Sequence, residues 1–498
     1  MLPFTNQYVR ILLRTYLVYH KEGNFMKQKT KMIFTIGPAS DNEDTIRKFI
    51  QIGMSAARLN FSHGTHETHK EKIDMIKKIR EDLNSPTAII LDIKGPKIRT
   101  HKFINGGVEL IKGQEFTFMC GEEILGDNSR CSISYDTLYQ DVSIGGYILV
   151  DDGLLKFRII NIIGKSIKCS VSVGGIIKDH KGVNVPNVSI KLPSITEKDI
   201  EDIKFGCKMN VDFIAASFIR KASDILDVRN VLKENGGENI KIIAKIESQE
   251  GVDNIDSILE VTDAVMVARG DMGVEIPIQK VPIIQKSIIK KCNKAGKIVI
   301  TATQMLDSMI RNSLPTRAEA SDICNAIFDG TDAIMLSGES ASGSFPIEAA
   351  QTMSLIAKET EDNLEYDHLL KQNLTGIESS YADAISYSAC KTSVMLDAKA
   401  IVAATKSGAT ARLLSKYRPK APILAITPYD YVRRQLNLNF GVIPEICEMF
   451  NTTDEILNEA KKFAINLDSV NTGDNIIVAA GMPTTQTGGT NMLKIEKL

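Results

Sequence analysis

The chain has 498 residues, natural for two or three domains, with the 43% hydrophobic and 24% charged content of an ordinary globular protein. Its 60 Lys+Arg and 61 Asp+Glu nearly cancel to a net charge of -1, which excludes any strong electrostatic reason to expect nucleic acid or an anionic membrane as the main partner. No apolar run is long enough to span a bilayer, and the eight cysteines form no C-x-x-C pair, so they read as buried reduced thiols of a cytoplasmic protein rather than a disulfide framework or zinc cluster.

Residues 1–25 stand apart. They carry Arg10 and Arg14 within a partly hydrophobic stretch and lack the small-residue end of a secretory signal. Lys21-Glu22-Gly23 is what a purine-rich bacterial ribosome-binding sequence encodes when read in frame, two codons before Met26. The segment is therefore expected to be an upstream extension outside the fold, with Met26 as the natural start; an organelle presequence is the other reading.

From residue 31 onward, short β-branched-rich runs recur, each followed by a segment of helical length. They occupy 31–36, 57–61, 87–93, 212–218, 241–247, 264–269, 297–303 and 332–338, with helix-like stretches such as 65–83, 196–209 and 279–295 between them. Eight such alternations with nearly continuous apolar strands predict a (β/α)8 TIM barrel, with an open doubly wound sheet as the rival. The alternation is interrupted once, between 100 and 192, by short strands and Gly turns that predict a small all-β domain inserted after the third strand. An insertion there leaves from the barrel face that carries active sites, so it is placed to act as a lid. Further strand-like runs at 400–404, 423–427, 442–445 and 475–479 predict a C-terminal α/β domain. The expected division is 26–97 with 194–365 for the barrel, 98–193 for the lid and 366–498 for the C-terminal domain.

Polar residues gather at the C-terminal ends of the predicted strands, where barrel enzymes keep their catalysts. Strand two runs into Arg58, Asn60, Ser62 and His63; strand three into Asp92, Lys94, Lys97 and Arg99; strand five into Lys245 and Glu247; strand six into Arg269, Gly270 and Asp271; strand seven into Thr303. Any one could be a cap or a structural ion pair, but five at one rim are hard to explain as packing. Residues i and i+2 of a strand share a face, so Lys245 and Glu247 project together. With Asp271 they make two carboxylates beside one ammonium. That set suits a hard divalent cation and the charge neutralisation of phosphoryl transfer. A buried salt bridge is the bland alternative. His63, His66 and His69 have metal-like spacing but read as surface histidines.

The segments TKMIFTIGPAS, ARLNFSHG, LDIKGPKIRT, KGVNVP, IAKIES, VARGDMGVEIP, TATQML, PTRAEASD and IMLSGESASG, in this order and spacing, resemble the signatures of the pyruvate kinase family. The resemblance implies transfer of phosphate from phosphoenolpyruvate to ADP, giving pyruvate and ATP. It implies Mg²⁺ (or Mn²⁺) on Glu247 and Asp271, Arg58 on the transferred phosphoryl group, and N–H groups around Gly270 and Asp271 on the substrate carboxylate. Lys245 would stabilise the departing phosphate and the enolate, and Thr303 would be linked to enolate protonation through a water relay. Asn60, His63, Arg99 and Lys181 match nucleotide-contacting positions. Asn60, Ser62, Asp92 and the backbone of Ile93 match a K⁺ site.

Two features depart from the family pattern. Lys97, in KGPKIR, stands where many relatives carry glutamate, and its ammonium would replace a monovalent cation; K⁺ is therefore expected to be dispensable, although Lys94 and Thr100 keep potassium-type identities. In the C-terminal domain, Thr405, Lys406, Ser407, Gly408 and Thr410 match the loop that holds a phosphate of an allosteric sugar effector. The facing loop, 481–490, contains no Arg or Lys, which disfavours a bisphosphate and leaves a sugar monophosphate or AMP. A homotetramer is implied by the family alone, and the extra C-terminal domain of some bacterial relatives is expected to be absent. A Mg²⁺-dependent lyase or aldolase and a catalytically silent metabolite sensor are the competing readings.

Overall fold

The computed structural model describes residues 28–186, 188, 190–372, 380–482 and 489–498; residues 1–25, expected to be an extension, lie outside the described residues. The eight barrel strands are β1 (Lys31–Thr35), β2 (Met54–Asn60), β3 (Ala88–Asp92), β4 (Phe213–Ala216), β5 (Lys241–Ile246), β6 (Ala264–Ala268), β7 (Ile298–Ala302) and β8 (Ala333–Leu336). They close in the order β1-β8-β7-β6-β5-β4-β3-β2. Pairing is parallel wherever register is defined, as in Lys245 beside Met266 and Val267 beside Thr301. Parallel strands covered on both faces can hold apolar residues at every position. Accordingly β1, β3, β6 and β7 are buried along their whole length.

Each strand ends one or two residues before its apolar pattern suggests. Residues such as Ile93, Ser217, Glu247, Arg269 and Thr303 leave the ladder and form the rim. Phe218 (φ 57°) and Thr303 (φ 69°) leave it through positive φ. The helices follow their signals. Helix α1 (Glu43–Ile52) is capped by Asn42, whose side chain accepts from Thr45 N, and is stopped by Gly53 at φ 116°. Helix α2 (His66–Asp82) and helix α3 (Glu197–Lys208) follow, the latter with a Thr196–Asp199 capping box. The stretch predicted from 279 starts as a 3₁₀ turn and becomes α-helical at Val281–Ala295, where Pro282 fits the first turn.

Contacts divide the chain into two compact units. One takes in the residues up to Leu59, Glu67–Ile90 and Gln304–Leu498. It contains a C-terminal sheet of β9 (Ala400–Ala404), β10 (Ile423–Thr427), β11 (Val442–Ile446), β12 (Asn475–Ala480) and β13 (Met492–Lys497), in the order β11-β10-β9-β12-β13. Four of these strands match the sequence expectation; β13, antiparallel to β12, is additional. Its charged residues Lys494, Glu496 and Lys497 mask the apolar pattern, as is common at a sheet edge. Within this unit the start of β1 is tied down closely: Lys29 N and Thr30 N donate to the Glu361 carboxylate, and Lys31 Nζ donates to the Val442 carbonyl.

The other unit takes in Asn60–His66 and Leu91–Thr303. Between β3 and β4 it carries a six-stranded and a two-stranded sheet. They surround a core of their own, in which Phe116, Phe118 and Phe157 pack ring against ring. All eight cysteines are free thiols, but Cys207, Cys324 and Cys447 are partly exposed, so the expectation of buried thiols holds for the other five.

Candidate active site

Within the second unit, the end of β5 sets the chemistry. Lys245 is buried, and its ammonium lies 2.6 Å from Ser217 Oγ, 3.2 Å from Asp92 Oδ1 and 3.1 Å from Glu247 Oε1. Ser217 Oγ in turn donates to the Ile93 carbonyl at 2.7 Å. Glu247 is only 1% exposed, and its Oε2 accepts from Phe218 N at 2.7 Å. Burial pushes the Glu247 carboxyl up to about 7, with the Asp271 charge adding to the shift and Lys245 and the Phe218 N–H partly offsetting it.

Asp271 lies in the first turn of helix α4 (Arg269–Glu275), 3.3 Å from Lys97 Nζ. One turn on, Glu275 accepts from Asn184 Nδ2 at 2.6 Å, and burial raises its carboxyl above the usual range. A buried acid that feels the charge of a second, one-third-exposed acid makes a donor set that a hard cation relieves, so Glu247 and Asp271 fit Mg²⁺ or Mn²⁺. Among the described residues no group of three or more His, Cys, Asp or Glu is arranged for a metal. An ion here must complete its shell with substrate or water oxygens, which is how Mg²⁺ is usually held.

Thr303 is β-branched and yet sits at φ 69°, a strained conformation for such a residue. Two bonds from Arg269, Nη2 at 2.7 Å and Nε at 3.3 Å, hold its carbonyl. Its hydroxyl donates to the Ala302 carbonyl at 2.6 Å and accepts from Gly270 N at 2.8 Å. Gly270, Asp271 and Thr303 are thus one connected rim segment.

The strand-two loop lies close to strand three: Phe61 N donates to the Asp92 carbonyl, Ser62 N donates to Asn60 Oδ1, and His63 N donates to the Asn60 carbonyl. Asp92 and the Ile93 carbonyl, expected around K⁺, are engaged by Lys245 and Ser217 as described. Lys97 reaches Asp271 and, at 3.7 Å, Asp152. Arg99 Nη1 donates to the His180 carbonyl, and Lys181 Nζ lies 2.8 Å from Asp151 Oδ1, which brings these two nucleotide candidates to one edge of the inserted sheets. In the first unit, Arg58 is 9% exposed and donates from Nη1 to Thr35 Oγ1.

The expectation of surface histidines holds for His63, which is exposed, but not for His66, which is partly covered, or His69, which is buried. His66 Nε2 meets Asp202 Oδ1 at 2.6 Å and its ring stacks on Phe205, while His69 is buried on α2. For His66 the reason is the Phe205 ring of α3; His69 falls on the buried face of its own helix with Ile73 and Ile76. Ser217 is hidden as a site residue because the fourth strand's run, DFIAASF, reads as pure core. The sequence places Arg269 at the rim but does not show that it holds Thr303.

In the C-terminal domain, Gly408 at φ 81° precedes helix α5 (Ala409–Lys416) and donates its N–H to Thr405 Oγ1 at 2.9 Å. Arg412 Nη1 donates to the Ser407 carbonyl, and Lys406 Nζ sits 5.8 Å from the Phe450 ring centroid. Thr410 Oγ1 meets Thr490 Oγ1 at 2.8 Å; residues 483–488 of the 481–490 loop lie outside the described residues.

The pyruvate kinase barrel-domain family model matches residues 27–350, and the pyruvate kinase alpha/beta-domain model matches residues 383–496. The chain belongs to the pyruvate kinase family. It is 68% identical to a pyruvate kinase from Clostridium perfringens over 473 residues, covering 95% of this chain and 100% of that protein. It is 57% identical to a pyruvate kinase from Clostridium acetobutylicum, covering 94% and 99%. A crystal structure of a pyruvate kinase from Cryptosporidium parvum superposes with a TM-score of 0.91 at 38% identity, covering 96% of this chain and 97% of the other. Like its pyruvate kinase relatives, the chain is a phosphotransferase built on a closed parallel barrel with a C-terminal α/β domain. Among the described residues no helix is long and apolar enough to cross a membrane.

Proposed function

We propose that the rim centred on Lys245 carries phosphoryl transfer from phosphoenolpyruvate to ADP, with the roles that follow. The observation that supports this most is the buried ammonium of Lys245 beside Glu247, with the Asp271 charge felt at the same carboxyl. A divalent cation bound there would neutralise phosphate charge and orient the two substrates. The protein's own groups do the rest. Glu247 and Asp271 would hold the ion. Lys245 faces the enolate oxygen and the departing phosphoryl group, supplying a positive charge that needs no reorganisation. Arg58 grips the phosphoryl group, and N–H groups near Gly270 and Asp271 receive the substrate carboxylate. Thr303 orients a water that delivers the proton to the enolate carbon, because a hydroxyl is too weak an acid to do so alone. Asn60, His63, Arg99 and Lys181 bind the nucleotide.

The assignment is tested by coupled detection of pyruvate from phosphoenolpyruvate and ADP, with and without Mg²⁺. Activity that requires the metal and is lost in Glu247→Gln and Asp271→Asn supports it. Full turnover in either variant would overturn the metal assignment.

The same reading extends to regulation and assembly. Thr405, Lys406, Ser407, Gly408 and Thr410 bind the phosphate of a monophosphorylated effector, the chain works as a cytoplasmic homotetramer, and the 98–193 insertion closes over the barrel as a lid. Asn60, Ser62, Asp92 and Ile93 form a monovalent site made dispensable by Lys97, with Lys245 already neutralising Asp92. Replacing K⁺ by a bulky organic cation is expected to change turnover less than about twofold. A many-fold fall would refute it.

A further inference from the structure

The Lys97 ammonium stands 3.3 Å from Asp271 Oδ1 and 3.7 Å from Asp152 Oδ1. Its side chain is 18% exposed, against 34% for Asp271 and 72% for Asp152. A Cβ added at Gly182 would come within 2.7 Å of Lys97 Cε, so a side chain there would push the end of the lysine aside. The ammonium also lies 5.8 Å from the centroid of Phe218, the residue whose N–H holds Glu247. A fixed positive charge therefore rests on one of the two acids read as metal ligands, within a short movement of a third carboxylate.

We infer that Lys97 is a built-in counter-ion for Asp271 that a divalent cation must displace onto Asp152, and that it thereby sets the metal affinity of the substrate-free enzyme. The ammonium on Oδ1 repels a divalent ion arriving at the same carboxylate, and an ion that takes Oδ1 competes directly for the Lys97–Asp271 contact. Asp152, already 3.7 Å away, offers the released ammonium a second carboxylate. Asp151 and Asp152 both sit at positive φ, 55° and 52°, in the turn that presents them. Lys97 acts on the metal through Asp271 and is a positioning residue, not a ligand.

The inference rests on the reading of Asp271 as a metal ligand, and the test separates the two. Mn²⁺ binding to the full chain without substrates is measured by titration calorimetry for the wild type, Lys97→Gln, Lys97→Met, Asp152→Asn and Asp271→Asn, with circular dichroism as the folding control. Removing the competing ammonium from a partly exposed pair is expected to tighten Mn²⁺ binding about five- to tenfold in either Lys97 variant. Asp152→Asn, at an exposed position, removes the alternative partner and is expected to weaken binding by about twofold. A merely structural role for Lys97 would not produce these opposite signs. If Asp271→Asn loses Mn²⁺ while both folded Lys97 variants bind as the wild type does or more weakly, the inference fails and the ligand assignment stands. If Asp271→Asn binds Mn²⁺ as the wild type does, the ligand assignment fails and the inference with it.

Discussion

Lys245 and Glu247 form a buried ion pair two residues apart, Nζ to Oε1 at 3.1 Å, and the same ammonium neutralises Asp92 at 3.2 Å. One cation thus serves two acids that are 2% exposed or less. Lys245→Met would leave both carboxylates buried without it, which costs roughly 3–5 kcal/mol of stability when a buried partner is removed. It also deletes the cation aimed at the developing enolate, worth on the order of 10²–10³ in kcat. The expected result is a variant that folds at low temperature, with a lowered urea midpoint and a kcat reduced by that factor. A kcat within threefold of the wild type at a temperature where the variant is folded would remove Lys245 from the mechanism.

Glu247 has its carboxyl pushed up to about 7, above an ordinary value of 4.5. Between these two values the metal-free folded protein keeps a proton that the unfolded chain has released. The folded state then binds more protons, so stability falls as pH rises through the window and levels off above about pH 7. The integrated effect is about 3 kcal/mol at most. Urea midpoints measured at pH 5.5 and 7.5 in a chelating buffer should separate more for the wild type than for Glu247→Gln. Equal separations would show that the carboxyl titrates normally.

Thr303 combines a positive φ with a hydroxyl bonded on both sides. Glycine relieves the backbone strain, whereas alanine keeps it, and both lose the hydroxyl. Thr303→Gly should therefore be more stable than Thr303→Ala by about 1–2 kcal/mol, the reverse of glycine's usual effect in regular structure. Both should lose most of their enolate-protonating activity, read as slowed exchange of pyruvate methyl protons with solvent. The Arg269 grip on the Thr303 carbonyl explains why the strain persists: two bonds from one guanidinium fix the peptide.

Much of this architecture is legible in the sequence because parallel barrel strands announce themselves by unbroken apolar runs. The pairing of Lys245 with Glu247 follows from strand periodicity alone. What sequence conceals is of two kinds. Ser217 and the Arg269–Thr303 contact depend on where neighbouring strands end, which no local pattern encodes. Strand β13 is masked by its charged edge residues, whereas the burial of His69 follows from the α2 face it shares with Ile73 and Ile76, a periodicity that a reading by histidine spacing passes over. Lys97 is intermediate: its identity is visible as a departure from the family pattern, but its approach to Asp271 required the fold.

Lys31 offers a test remote from the active site. Its ammonium donates to the Val442 carbonyl, and burial lowers its pKa from 10.5 to about 8, with Glu361 and Asp332 offsetting only part of the shift. Below pH 8 both states carry the charge, and the folded state bears the full cost of burying it. Between 8 and 10.5 the folded protein has released the proton and the unfolded chain has not. The unfolded state then binds more protons, so stability rises with pH by up to about 3 kcal/mol. Lys31→Met removes the buried charge but also the bond to Val442, worth about 1 kcal/mol. The variant should therefore be about 2 kcal/mol more stable than the wild type at pH 7, and the advantage should vanish or reverse at pH 10. Lys29, also lowered to about 8 mainly by burial, is present in both proteins and cancels in the comparison. Urea midpoints at the two pH values decide the matter, and a variant destabilised equally at both would mean that Lys31 is held by contacts worth more than its desolvation.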